Sequence, residues 1–512
     1  GQASAGASDA FVRAYDAAGN EAWTDQLGTA GADQAQGVAA YGGSVYVAGY
    51  AGGALPGQTS AGQLDAFVRA YDAAGDPAWT DQFGSAGADQ ALGVAAGAGG
   101  VHVAGFAGGA LPGQTSAGAN DVFVRAYDAA GTEAWTDQFG TFGAAFDLAQ
   151  AADGDGNVYV AGYTTGILPG QTNAGRRDAF VRRYDKAGNE VWTREFGSSG
   201  NELANGIAVD ASGVYVAGFT DSTLPGQSSA GFVDAFVRKY DLAGGELWTR
   251  QLGTVGSDRA NGIAAGAGGA VVVGTTDGVL TGAANACADD AFVRAYDANG
   301  NEIWTAQFGT PGIEQASGVA AGGGGVFVVG ATSGAFPGHA NAGSFDAFVQ
   351  AFDLNGGALW ARQIGTPAVD QAFGVAAGAG GVYVAGSTDG TLPGQANAGF
   401  IDAFVQAYDL AGGALWTRQF GTLGPDQALG VSTNGGDVYV AGSTFGALPT
   451  QTGAGGLDAF VRHYDATGAE GWTRQIGGPG IDQARGVVAG ACGIYLVGGA
   501  RDALPDQVNA GD

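Results

Sequence analysis

Histidine is the side chain that most often moves protons or holds metals near neutral pH, and this sequence of 512 residues contains only three. His102, His339 and His463 stand in different local sequences, so a shared metal site is not expected. No nucleophile motif of a hydrolase accompanies them. The clustered arginines and Tyr–Glu pair of sialidase chemistry are also not found. We therefore predict a protein that is not an enzyme and has no metal and no cofactor.

Carboxylates recur at a fixed place before a short segment rich in Ala and Gly. Eight acids occupy it, and Ala145 stands at the ninth place: Asp33, Asp89, Glu202, Asp258, Glu314, Asp370, Asp426 and Asp482. They could accept hydrogen bonds from backbone N–H groups, which we favour, or form an acidic ring that attracts cations. The segment DGDGN (153–157) resembles the start of a calcium-binding loop, but the rest of that motif is missing. We expect a turn there, with calcium as the alternative.

These positions recur because the whole chain is a tandem repeat. All nine tryptophans share one repeat position: Trp23, Trp79, Trp135, Trp192, Trp248, Trp304, Trp360, Trp416 and Trp472. Successive tryptophans are 56 residues apart, except for 57 between Trp135 and Trp192. No segment lies outside the repeat. We therefore predict one domain over 1–512.

Each repeat contains four segments typical of short β-strands, for example 33–40, 44–50, 65–71 and 77–83. In the third strand, the alternating side chains make both faces largely apolar, so each sheet needs a neighbour on either side. Repeated four-stranded sheets with two apolar faces stack radially into a β-propeller.

The two ends of the sequence complement each other. The chain begins with third and fourth strands and finishes with first and second strands, which together complete one blade. We therefore predict an all-β fold, a single closed nine-bladed β-propeller with four antiparallel strands per blade. Its terminal blade combines the third and fourth strands (C and D) from the N-terminus with the first and second strands (A and B) from the C-terminus. An open superhelix of blades is the less favoured alternative, because it would leave exposed strand edges.

The repeated turn YDAAGNEAW, with Asp16, Gly19 and Trp23, resembles the Asp-box hairpins of sialidases and the Trp-docking hairpins of quinone-cofactor propellers, one residue out of register. Such hairpins are structural. The carboxylate binds turn N–H groups and the indole packs between adjacent sheets.

The stretch GVYVAGSTDGTLPGQANAGFIDAFVQAYDLAGGALWTRQFGT resembles the SBBP-type β-propeller repeat of secreted and surface proteins of bacteria. The resemblance covers the whole chain. It implies an extracellular or cell-surface location and an interaction role, and no defined reaction. The family name implies seven blades, whereas the repeats in this sequence number nine.

Net charge excludes several partners. With 49 acids against 20 bases, the chain carries a net charge of −29, so nucleic acid and anionic membrane surfaces are not expected partners. No apolar run reaches membrane-spanning length and no signal peptide is recognised, so membrane insertion is not expected. Since the sequence starts without Met, we expect a processed or trimmed chain. We also expect a monomer. Cys287 and Cys492 are expected on opposite faces, as two free thiols.

A variable surface is predicted where the loops after the second and fourth strands emerge on one face of the ring. Changing residues there include Phe232, Phe345, Phe400 and Ile401, and exposed apolar side chains on a rim are typical of a contact surface. Neutral drift in loops is the alternative.

The third repeat is irregular, since Gln150 replaces a valine near the axis and Phe146–Asp147 replaces Gln–Ala. Arg176 and Arg177 follow in its next variable loop. Asp147, Gln150, Arg176 and Arg177 could contact a small ligand, or reflect relaxation of a redundant repeat. We therefore predict a non-enzymatic scaffold that binds a protein partner, with a carbohydrate-binding or carbohydrate-acting propeller as the alternative.

Overall fold

The fold is known from a computed structural model, which describes residues 8–500 and Leu504, except 17, 98, 154, 267–268, 281–288, 379, 435, 454, 479 and 491–492. The described residues contain β-strands and turns and no helix. In chain order, the strands are β1(Asp9–Tyr15), β2(Glu21–Leu27), β3(Gln34–Tyr41), β4(Ser44–Ala51), β5(Asp65–Tyr71), β6(Pro77–Phe83), β7(Asp89–Gly97), β8(Gly100–Ala107), β9(Asp121–Tyr127), β10(Glu133–Phe139), β11(Ala145–Ala152), β12(Val158–Thr164), β13(Asp178–Tyr184), β14(Glu190–Phe196), β15(Glu202–Asp210), β16(Gly213–Thr220), β17(Asp234–Tyr240), β18(Glu246–Leu252), β19(Asp258–Gly266), β20(Gly269–Thr276), β21(Asp290–Tyr296), β22(Glu302–Phe308), β23(Glu314–Gly322), β24(Gly325–Thr332), β25(Asp346–Asp353), β26(Ala358–Ile364), β27(Asp370–Gly378), β28(Gly381–Thr388), β29(Asp402–Tyr408), β30(Ala414–Phe420), β31(Asp426–Asn434), β32(Asp437–Thr444), β33(Asp458–Tyr464), β34(Glu470–Ile476), β35(Asp482–Gly490) and β36(Gly493–Ala500).

These strands form nine antiparallel four-stranded sheets, which confirms the predicted nine-bladed propeller. Blade 1 is β3–β6, and each later blade takes the next four strands, up to β31–β34 in blade 8. We call the four strands of a blade A to D from the axis outwards. Blade 9 has the order β2-β1-β36-β35, with Val12 opposite Val497. The N-terminal strands C and D and the C-terminal strands A and B thus close the ring, as predicted.

Alternation along strand C explains why the blades stack. In β5, Phe67 and Tyr71 point towards blade 9 and pack with Val12 and Leu27. Ala66, Val68 and Ala70 point the other way and pack with strands β7 and β8 of blade 2. Because both faces of every sheet are apolar, each sheet is covered on both sides, and the hydrophobic core is a series of clusters between blades.

A tryptophan wedge joins each blade to the next. Trp192 of blade 3 packs on Tyr240 of blade 4 with ring centroids 5.6 Å apart, and its indole N–H donates to the Leu242 carbonyl at 3.2 Å. Equivalent pairs of aromatic rings, 4.9–5.6 Å apart, occur at all nine interfaces. The turn glycine, here Gly244 at φ +82°, lies against this indole, and a side chain on it would collide with the ring. The structural role predicted for the repeated turn is confirmed.

The loops after strands B and D leave the ring on one face, which we call the upper face. Isolated parallel bridges join the two loops between neighbouring blades, as between Leu64 and Ala88. The shared face predicted for the variable loops is thus confirmed. Cys287 and Cys492, which are predicted to lie on opposite faces, are outside the described residues.

Candidate functional site: the upper face and the blade interfaces

The upper face is built from a repeated two-loop contact. In blade 7 the loop after strand B ends at Phe400 and Ile401, and Ile401 forms a bridge with Pro425 in the loop that leads to blade 8. Phe400 is therefore exposed and Ile401 is half-buried. Phe345 has the bridging position in blade 6 and is also half-buried. Phe345 and Ile401 are thus less exposed than expected, and their place in a contact surface stays a prediction.

Three exposed apolar residues lie together on blades 7 and 8. Phe400, Leu423 and Phe445 are 69%, 89% and 51% exposed. The backbone of Leu423 packs against Gly399, next to Phe400, while the ring of Phe445 lies over Gly424, next to Leu423. We call these three residues the blade-7/8 cluster. Apolar side chains this exposed and this close together are typical of contact surfaces.

A second, smaller group lies on blades 4 and 5, where the exposed Phe232 adjoins the exposed Val255. The N–H of Phe232 donates to the Gly256 carbonyl at 3.0 Å, which holds the two loops side by side. Phe142, between blades 2 and 3, is also exposed. Leu423, Val255 and Phe142 were not singled out from the sequence, although each is the one large apolar residue in a crossing loop that elsewhere carries Ala, Ser or Pro.

The irregular blade 3 does not gather its predicted residues at one point. Gln150 lies in the middle of β11, where a side chain on Gly93 of blade 2 would collide with its amide. Gln150 therefore fills the gap between two inner strands. Arg176 and Arg177 are exposed on the upper face, and the Arg177 guanidinium lies 5.1 Å from the Tyr163 ring centre. The side chain of Asp147 lies outside the described residues.

The DGDGN segment forms a turn. The Asp153 carboxylate accepts hydrogen bonds from the N–H groups of Asp155 and Asn157, both at 3.0 Å, and from the Tyr159 hydroxyl at 2.9 Å. Gly156, in the turn between strands A and B of this blade, has φ +84°, similar to the glycine of the repeated turn between strands C and D. These bonds lower the pKa of Asp153, against the effect of its partial burial. No cluster of three metal-binding side chains is present in the described part of the chain.

The acids that begin the inner strands are buried. The Asp33 carboxylate accepts hydrogen bonds from the N–H groups of Thr29 at 2.7 Å and Gly52 at 3.0 Å. All eight acids are fully buried, so they bind loop donors and do not line an open acidic mouth. Burial raises the pKa of several of them, in Asp426 to about 6. In blade 3, where Ala145 replaces the acid, the Thr164 hydroxyl turns to Thr141 instead, at 3.1 Å.

A charge cluster that sequence reasoning missed, buried at one interface and partly exposed at two, joins three pairs of blades. Asp25 of blade 9 accepts hydrogen bonds from Arg69 at 2.7 Å and from the Tyr71 hydroxyl at 2.6 Å, both in blade 1. Asp81 and Asp137 bind the corresponding Arg and Tyr of blades 2 and 3 at 2.6–2.9 Å. We call this arrangement the Asp clamp. Its signal in the sequence is the WTD of these repeats, where most later repeats have WTR or WAR.

Blade 3 also brings two carboxyl groups together. In the other eight blades a glutamine of strand D donates to the first Asp of strand C at 2.6–3.0 Å. Glu195 replaces that glutamine beside Asp178, and it accepts the Leu168 N–H at 2.7 Å. Partial burial, with the nearby Asp178 carboxylate, raises the pKa of Glu195 to about 7.

A family model agrees with this architecture. The profile of the family described as SBBP, beta-propeller repeat, matches residues 151–169, which include strand β12. A curated relative, Regulatory protein FlaEY of Caulobacter vibrioides, is 29% identical over 388 residues. That match covers 70% of this chain and 37% of the relative, so the chain spans little more than a third of the relative's length.

Among solved structures, the dihydro-heme d1 dehydrogenase NirN in complex with DHE is 12% identical with a TM-score of 0.42, covering 80% of this chain and 70% of that one. The Pan2 WD40 domain of Neurospora crassa is also 12% identical, with a TM-score of 0.36, covering 68% and 85%. Likenesses at this level carry no functional inference. Within the described residues, no helix is long and apolar enough to cross a membrane. The chain is a nine-bladed β-propeller, as its sequence predicted, and its residues 151–169 match the SBBP beta-propeller repeat.

Proposed function

We propose that this propeller is a non-enzymatic interaction module that binds a protein partner on its upper face, through the blade-7/8 cluster. The observation that carries the proposal is the exposure of Phe400, Leu423 and Phe445 side by side on a rigid ring. Large apolar side chains at the centre of an interface supply most of its binding free energy when they are desolvated. Loops fixed by a rigid scaffold are suited to presenting them.

Two further observations support this function. The curated relative is named as a regulatory protein, which is in keeping with an interaction role. The net charge of −29, with only two lysines, suits an extracellular or cell-surface protein that stays monomeric through self-repulsion. We accordingly place the protein outside the cell or on its surface.

The test is a capture experiment with a pair of matched double variants. Phe400→Asp with Leu423→Asp removes two residues of the cluster. Gln63→Asp with Ala86→Asp changes the corresponding exposed loop positions of blade 1. Wild type and both variants are cross-linked to native cell-envelope material, and the captured proteins are quantified by mass spectrometry. Proteins captured by wild type and by the blade-1 variant, but at least tenfold less by the blade-7 variant, are the expected result.

Equal capture by all three proteins would exclude the cluster as the binding surface. Melting temperatures of the variants control for unfolding, because all four substituted positions are exposed. A glycan array tests the carbohydrate alternative, which relies on Gln150 and Arg176. Saturable binding of one sugar class, lost in Gln150→Val or Arg176→Ala, would replace the protein-partner proposal. Because Gln150 packs against Gly93 of blade 2, its side chain is used inside the ring, which disfavours the carbohydrate alternative.

A further inference from the structure

The blade interfaces differ at one position of strand D, two residues after the tryptophan. Three interfaces carry aspartate there, and these form the Asp clamps. One interface carries Ala306, and five carry arginine: Arg194, Arg250, Arg362, Arg418 and Arg474. At four of these five, the next blade still presents the Arg and Tyr of the clamp: Arg238 and Tyr240, Arg294 and Tyr296, Arg462 and Tyr464, and Arg13 and Tyr15. At these four interfaces an arginine stands where the Asp clamp has its aspartate, while the Arg and Tyr that donate hydrogen bonds to that aspartate are both kept.

The Asp clamp shows what these donors bind. At the interface of blades 1 and 2, one oxygen of Asp81 accepts hydrogen bonds from the Arg125 guanidinium at 2.9 Å and from the Tyr127 hydroxyl at 2.6 Å. The Arg and Tyr therefore converge on a single anionic oxygen. Charge-assisted hydrogen bonds of this kind are about twice as strong as neutral ones.

At the four arginine interfaces the tyrosine hydroxyl has no acceptor for its proton, and the group that approaches its oxygen is the guanidinium of the arginine two residues before it. This holds for Tyr15, Tyr240, Tyr296 and Tyr464, each of which is at most 2% exposed. The Nε atoms of Arg13, Arg238, Arg294 and Arg462 are also buried without a hydrogen bond, but so are those of Arg125 and Arg182 in two of the Asp clamps. The tyrosine hydroxyl is therefore the group that distinguishes the four interfaces. A buried polar group without a partner destabilises a fold by about 1–3 kcal/mol, so four repetitions of the same arrangement call for an explanation.

The strand-D arginines bind backbone carbonyls and make no hydrogen bond to the tyrosine hydroxyl. Arg194 donates to the carbonyls of Thr193 and Gly244 at 2.7–2.8 Å and lies 5.8 Å from the Trp192 ring centre. Arg238 across the interface pairs with the half-exposed Glu246 at 3.3 Å. Among the described residues, no carboxylate lies within 4.0 Å of the guanidinium groups of Arg194, Arg250, Arg418 and Arg474. Within this distance, each of the four interfaces thus has two guanidinium groups and one carboxylate.

We propose that the interfaces between blades 3 and 4, 4 and 5, 7 and 8, and 8 and 9 each bind one small monovalent anion, of the size of chloride or formate. The anion takes the place of the Asp carboxylate in front of the tyrosine hydroxyl and balances the second guanidinium. A water molecule could accept a hydrogen bond from the hydroxyl, but it would bring no negative charge to the two guanidinium groups. Larger anions are excluded because the hydroxyls lie in the packed core between two sheets.

Anomalous diffraction from crystals soaked in sodium bromide tests the proposal directly. Four bromide peaks are expected, beside Tyr15, Tyr240, Tyr296 and Tyr464. No peak is expected beside Tyr71, Tyr127 and Tyr184, where an Asp carboxylate already binds the hydroxyl. The three Asp clamps are thus controls within the same crystal. Absence of all four peaks, or peaks of equal height at both kinds of interface, would overturn the proposal.

Two opposite substitutions make the test specific. Arg194→Asp supplies a carboxylate in the chain and should remove the bromide peak beside Tyr240 alone. Asp81→Arg should create a new peak beside Tyr127. If either variant fails to fold, Tyr240→Phe replaces it, since removal of the hydroxyl should weaken the same peak and leave the other three. In solution, the melting temperature of the wild type should rise with sodium chloride at constant ionic strength. A rise of equal size in a variant with Asp at 194, 250, 418 and 474 would contradict the assignment.

Discussion

Blade 3 carries Glu195 at the strand-D position where every other blade carries glutamine. A glutamine amide donates to the neighbouring Asp, as Gln138 donates to Asp121 at 3.0 Å. An ionised Glu195 can only accept, so it faces Asp178 as a like charge. We expect Glu195→Gln to stabilise the protein, because the new amide restores the bond that the other blades already make.

The size of the effect follows from the raised pKa. The pKa of Glu195 lies at about 7, against an ordinary value of 4.5. At about 1.4 kcal/mol per pH unit, this corresponds to about 3 kcal/mol of destabilisation when the group is ionised. Because the side chain is only half-buried, solvent screening reduces the expected gain to about 1–2 kcal/mol.

The pH dependence of the gain distinguishes this cause from better packing. A carboxyl group with a raised pKa contributes stability that is complete below pH 4.5 and is lost as the pH rises through 7. The advantage of Glu195→Gln should therefore be small at pH 4.5, grow up to about pH 7 and stay constant above it. Urea unfolding of both proteins across this range measures it.

The matched control is Gln138→Glu in blade 2, which should destabilise the protein over the same pH window. The loss of stability caused by a glutamate at position 138 should be larger than the loss that Glu195 causes in blade 3. In blade 2 the Gln138 amide also donates to the Gly109 carbonyl at 2.7 Å, and a glutamate would lose this bond. In blade 3 the side-chain amide of Asn173 makes the equivalent bond, to the Gly166 carbonyl at 3.1 Å. A gain from Glu195→Gln that is equal at pH 4.5 and pH 8, or a loss of stability at pH 8, would refute the reasoning.

Two other predictions concern the joints between blades. Asp25→Asn should destabilise the protein by about 3–5 kcal/mol, because it leaves a buried arginine without its counter-ion. Asp81→Asn should have a smaller effect, because that carboxylate is 32% exposed against 5% for Asp25. Urea midpoints compare the two, and equal losses would show that burial does not set the strength of the clamp. Gly244→Ala should lower the melting temperature, since the residue has φ +82° and its Cβ would overlap the Trp192 ring. An unchanged melting temperature would mean that the wedge is not tightly packed.

The sequence predicted the ring far better than the binding surface, for a physical reason. The blades are set by periodic features, such as Trp192, Gly244 and the alternation along strand C, and periodic features are visible in one sequence. The half-burial of Phe345 and Ile401 depends on a backbone bridge to the next blade, which no local pattern reports.

The Asp clamp was missed for another reason. Arg69 lies 44 residues from Asp25, so local spacing does not connect them, and only a comparison of the repeats at that position would have done so. Glu195 could have been found in the same way, because it is the one glutamate among nine equivalent positions. Exceptions within a repeat therefore carry information that the repeat itself does not.

The seam of the ring runs through the middle of blade 9, between β1 and β36, and not between two blades. Gain or loss of one whole repeat by recombination between similar gene segments would leave both halves of that blade unchanged. The strands that close the ring would then be the same in a ring with one blade more or one blade fewer. A change in the number of blades therefore needs no change in the β1–β36 pair that closes the ring.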